Sequence, residues 1–78
     1  MMLAKYCWHV KVFMLAENIK RYRMEKGLSQ EQLAQKAGIT YSTLAKLESG
    51  ANQNPTVKTL QQVARALEVS LDDLMKEQ

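Results

Sequence analysis

Between Leu15 and Lys26 the apolar residues Leu15, Ile19 and Tyr22 recur three or four positions apart, with Glu17, Lys20, Arg21 and Glu25 between them. That period predicts one amphipathic helix of about 12 residues. Gly27 follows its charged last turn and offers the left-handed residue that ends it. Ser29 with Gln32 three positions later forms a capping-box pattern ahead of Leu33, Ala34 and Ala37, so a second helix starts there. It is short, because Gly38 permits the positive φ of a tight change of direction. Ile39 turns to the core and Thr40 caps a third helix over 41–49, whose buried face is Leu44 and Leu47. Gly50-Ala51-Asn52-Gln53-Asn54-Pro55 reads as a loop. Thr56 then caps a fourth helix in which Val57, Leu60, Val63, Ala64 and Leu67 repeat at helical spacing. Ser70 opens a fifth with Leu71, Leu74 and Met75 inward. Asp72 and Asp73 sit at the positive end of that last helix's dipole. The predicted fold class is all-α, a five-helix body over 15–76 with a tail at 77–78.

Residues 1–14 form an arm with a different pattern. Tyr6, Trp8, Val10 and Val12 fall on one side of an extended strand. A lone strand in a helical protein leaves its backbone groups unpaired, so this reading implies pairing with the same segment of a second copy. Leu3, Tyr6, Val10 and Phe13 also fit helical spacing, and Met14 is an alternative start with a translated leader ahead of it.

Composition narrows the class. With 78 residues, 46% of them hydrophobic and 24% charged, the chain has the makeup of one small folded domain and not of a disordered tail. Six basic residues face two acidic ones in 1–26 and four face two in 27–65, while one faces four in 66–78. A basic body with an acidic end suits a polyanion approaching one side. Cys7 is the single cysteine, which excludes an intrachain disulfide and points to a reducing cytoplasm. Lys5, His9 and Lys11 interrupt the apolar residues of 1–15, so neither a signal peptide nor a membrane span is expected. His9 and Cys7 have no further His or Cys to complete a zinc site. No metal, cofactor or catalytic residue is expected.

The second and third helices, joined by three or four residues, make a helix-turn-helix unit. The third helix carries a second stripe, Ser42, Ala45, Lys46 and Ser49, without a large apolar residue. A solvated surface helix has such a face, and so does a helix that enters the major groove of DNA. On the latter reading Gln30 opens the second helix where free amides suit a phosphate. Thr40, Tyr41, Ser42, Ala45, Lys46 and Ser49 present the third helix to the groove, and Asn52 and Asn54 hold phosphate oxygens from the loop. Arg23 and Glu48 lie toward the core sides of their helices, where mutual pairing avoids a large desolvation penalty.

Arg23 with Gly27-Leu28-Ser29-Gln30, Leu33-Ala34 with Gly38, Leu44 with Glu48 and Gly50, Pro55, and the closing Leu67-Glu68-Val69-Ser70-Leu71 together resemble the lambda/434 repressor and Cro superfamily, the XRE family of bacterial and phage transcription regulators. The likeness runs from about Leu15 to Met75. It implies a lambda-repressor-like fold, a phosphate-clamping role for Gln30, base reading at Tyr41, Ser42 and Lys46, backbone contacts near Asn52, and a buried pair of Arg23 with Glu48. It also implies a homodimer on a pseudo-palindromic operator of double-stranded DNA, acting by repression or autoregulation. Tyr41 and Ser42 depart from the glutamines common in the phage repressors, which removes the simplest adenine reader. No separate sensor domain is evident, so no small-molecule effector is expected. A protein partner is the alternative use of the same body, as in an antitoxin or a bridging coactivator.

Overall fold

The computed structural model describes the backbone of residues 8–52 and 54–76 and the side chains from Met14 onward within them. Five helices follow in order: α1 (Trp8–Glu25), α2 (Gln30–Ala37), α3 (Tyr41–Ser49), α4 (Val57–Leu67) and α5 (Leu71–Met75). No strand occurs among the described residues.

The helix boundaries come from local chemistry. Ser29, Thr40, Thr56 and Ser70 each hold an extended backbone, and each hydroxyl accepts the amide of the residue three positions on. Gln32 returns the favour to the Ser29 amide at 2.8 Å and Asp73 to that of Ser70 at 3.3 Å, completing two capping boxes. The C-terminal ends of α1, α2 and α4 share one device. Gly27, Gly38 and Glu68 stand in the left-handed region, and the next residue's amide bonds back to Arg23, Ala34 and Ala64 respectively. That next residue is Leu28, Ile39 or Val69, each half-buried against the core. Glu68, at φ 61°, holds this conformation without glycine's freedom.

The core collects Leu15 and Ile19 from α1, Leu33, Ala34 and Ala37 from α2, Leu44 and Leu47 from α3, Leu60, Val63, Ala64, Ala66 and Leu67 from α4, and Leu74 from α5. α2 packs on α4 and α3, while α1 lies across α3 and α5. Asn18 of α1 is fully buried, and its amide nitrogen donates to the Leu74 and Lys76 carbonyls at 2.7 Å each, tying α1 to the end of α5. Periodicity did not reveal this polar staple, because an asparagine on an apolar face announces no partner.

One expectation fails. The arm does not form a strand where it is described: α1 starts at Trp8 and runs 18 residues, so Trp8, Val10 and Val12 are helical, while Tyr6 lies outside the described residues. A helix satisfies its amides and carbonyls within its own segment, where a single strand needs a second chain. Val12 also stands three, four and seven positions before Leu15, Ala16 and Ile19, which continues the helical period. Val57, which shares the helical spacing of the apolar residues of α4, is 61% exposed. It occupies the first position of α4, before the chain has turned fully onto the core.

Candidate nucleic-acid interface

The turn between α2 and α3 sets the geometry. Gly38, at φ 73°, carries the chain over in three residues, and Thr40 immediately caps α3. A Cβ at Gly38 would meet only Gln62 Nε2 at 3.7 Å, so the backbone conformation and not crowding calls for glycine there.

α3 is fastened from below by a buried ion pair. Arg23 donates from Nε to Glu48 Oε2 at 2.7 Å and from Nη2 to Oε1 at 3.1 Å, a two-pronged match of guanidinium to carboxylate. The side chains are 13% and 3% exposed. Arg23 Nη1 also donates to the Leu28 carbonyl at 2.8 Å, so one side chain joins α1, the turn after it and α3. Gln30 completes the network, donating from Nε2 to Glu48 Oε1 at 3.0 Å. Sequence patterning did not show this link, since nothing local relates Gln30 to Glu48. The bond uses one of the two amide protons of Gln30 and none of the acceptor capacity of its carbonyl oxygen.

The outer face of α3 is open. Tyr41, 51% exposed, stands beside Ser29, Gln30 and Glu31 at the mouth between α2 and α3. Ser42 and Lys46 are exposed one turn apart. Ala45 is half-buried and lines a hollow with Lys20, Arg23, Gln30, Glu48 and Ser49. Lys20, from α1, did not emerge from the pattern of α2 and α3; its signal was its position one helical turn before Arg23.

The remaining candidates have local work as well. The Thr40 hydroxyl accepts the Thr43 amide at 3.1 Å and lies 2.8 Å from the Thr43 hydroxyl. Ser49 Oγ donates to the Lys46 carbonyl and accepts the Ala51 amide, both at 3.2 Å. Asn52 Oδ1 accepts the Asn54 amide at 3.0 Å, and the Asn52 amide donates to the Lys46 carbonyl at 3.2 Å, so the loop folds back onto the end of α3. Asn54 is exposed beyond it. Among the described residues no cluster of His, Cys, Asp and Glu is arranged to hold a metal ion, and no helix is long and apolar enough to cross a membrane.

The sequence profile of the helix-turn-helix family HTH_3 matches residues 19–74. The HTH-type transcriptional regulator SinR of Bacillus subtilis is 41% identical over 64 residues, 82% of this chain and 58% of SinR. The solved N-terminal DNA binding domain of SinR from Bacillus subtilis superposes with a TM-score of 0.80 at 39% identity, covering 85% of this chain and 96% of that domain. SinR, described as the master regulator for biofilm formation, is also solved in complex with DNA; that chain superposes with a TM-score of 0.76 at 39% identity, covering 80% of this chain and 98% of its own length. The chain thus spans little more than half the length of the curated SinR.

Proposed function

Because the chain belongs to the helix-turn-helix family HTH_3, we propose that it binds double-stranded DNA sequence-selectively as a transcriptional regulator, with α3 in the major groove. The observation that carries this is the outer face of α3, where Tyr41, Ser42 and Lys46 are exposed, Tyr41 stands beside Gln30 and Glu31 at the start of α2, and the small Ala45 sits between them in the helical period. Ser42 and Lys46 are short or flexible hydrogen-bonding groups suited to base edges, and Tyr41 offers a ring for a thymine methyl or a hydroxyl for a phosphate. Gln30, steadied by Glu48, clamps a phosphate at one edge of the groove. Asn52 and Asn54 reach the backbone at the other, with Thr40 and Ser49 holding the two ends of α3. SinR solved with DNA supports the reading by likeness.

Few cations flank this face, so one copy neutralises few phosphates and binds weakly. Two copies on a pseudo-palindromic operator, half-sites one helical turn apart, supply the affinity, and occupation of a promoter by such a homodimer represses or autoregulates. Titration of a palindromic duplex pool at several salt concentrations tests the reading. Saturable, selective binding is expected, with selectivity lost on Ser42→Ala and Lys46→Ala; equal binding of all duplexes overturns it and favours a protein-interaction role for the same body.

A further inference from the structure

We propose that Lys20 brings α1 into the interface, its ammonium binding a backbone phosphate of the duplex alongside α3; the inference rests on the DNA-binding reading above. Two independent observations lead to it. The first is charge matching. From Lys20 to Lys26 the chain carries four cations. Arg21 pairs with Glu25 at 3.3 Å, Arg23 with Glu48 at 2.7 Å and Lys26 with Glu68 at 3.1 Å. Lys20 has no carboxylate partner among the described residues. The second is position. Lys20 lines the same hollow as Gln30 at the start of α2 and as Ala45 and Ser49 on α3. One helical turn separates it from Arg23, so the two share a face of α1 directed at α3.

Glu48 also lines this hollow and would ordinarily repel a phosphate or capture the lysine. Its two oxygens are already met by Arg23 and Gln30, and the side chain is 3% exposed. The buried pair therefore presents a nearly neutral wall, and Lys20 supplies the net positive charge at its rim. A lysine is a compact charge on a flexible stem, which suits phosphate neutralisation better than base reading. It thus adds affinity without sequence preference.

The test compares Lys20→Gln, Lys20→Arg and Lys36→Gln with the unsubstituted chain. Lys36 is an exposed control in the last turn of α2 and lines a different hollow with Gln62, Arg65 and Glu68. Binding to a labelled mixed-sequence duplex and to a duplex selected for tight binding is measured between 50 and 200 mM salt. Each phosphate neutralised contributes about 0.9 to the slope of log affinity against log salt, so the Lys20→Gln deficit should narrow about 3.5-fold over that range for each subunit bound. The same narrowing is expected on both duplexes, while Lys20→Arg and Lys36→Gln keep the original slope. An unchanged slope in Lys20→Gln, equal flattening by Lys36→Gln, or a loss confined to the selected duplex overturns the assignment while leaving the DNA-binding reading intact. No binding of either duplex by the unsubstituted chain overturns both. Coincident thermal unfolding of the Lys20→Gln and unsubstituted chains, expected for an exposed side chain, separates a lost contact from a lost fold.

Discussion

Replacing Glu48 by methionine should destabilise the protein more than replacing Glu48 and Arg23 together. Glu48 accepts three hydrogen bonds, two from Arg23 and one from Gln30. Without it, the guanidinium of an Arg23 side chain only 13% exposed retains the Leu28 carbonyl alone, and its charge is uncompensated. Breaking a buried pair on one side costs about 3–5 kcal/mol, against a total stability of about 4–12 kcal/mol for a chain of this length. In the double variant, Arg23→Met with Glu48→Met, no buried charge remains. The deficit is then chiefly the lost donor to Leu28, about 1–3 kcal/mol, offset in part by apolar packing. The double variant should therefore be about 2 kcal/mol more stable than Glu48→Met alone. Urea unfolding of the unsubstituted chain, Glu48→Met, Arg23→Met and the double variant, with unchanged m-values as the check on two-state behaviour, measures the difference. Single-variant losses that simply add in the double variant would refute the account of the pair as mutually dependent architecture.

Asn18→Ala strips the donor from the Leu74 and Lys76 carbonyls and should cost about 1–3 kcal/mol. Amide exchange localises the effect, with protection lost in α5; intact protection there would show that the staple is idle. Val57→Thr should change stability by less than about 0.5 kcal/mol in thermal unfolding, since the side chain is 61% exposed, whereas Leu60→Ala in the core should cost about 2–5 kcal/mol. The hydrogen bond and charge of Lys26, with the charge of Lys36, hold the Glu68 carboxyl below its ordinary 4.5. A value depressed by folding means stability present above pH 4.5 and lost as pH falls through the folded value. In Lys26→Met the NMR titration midpoint of Glu68 should rise toward 4.5, and an unmoved midpoint would refute the pairing.

What was legible in the sequence is what short-range chemistry decides. Ser29 with Gln32, Thr40, Thr56 and Ser70 start helices because a hydroxyl needs only the amide three residues on, and Gly27 and Gly38 end them because their own φ suffices. Glu68 does the work of a glycine without being one, so composition gave no hint of its left-handed cap. Val57 matched the period of α4 but lies where the helix has not yet reached the core. The first turns of α1 were ambiguous because β-branched and aromatic residues alternate there while helical spacing also holds. Gln30 with Glu48, Asn18 with α5, and Lys20 beside Ala45 are long-range meetings that only the packing of α1 across α3 and α5 creates.

Whether α3 reads DNA sequence is decided by selection of bound duplexes from a random pool. Enrichment of a two-fold repeat with half-sites about 10 base pairs apart is expected, bound at least about 10³-fold more tightly than mixed sequence at physiological salt. A pool that emerges unenriched, whatever the salt, would show that α3 does not read sequence.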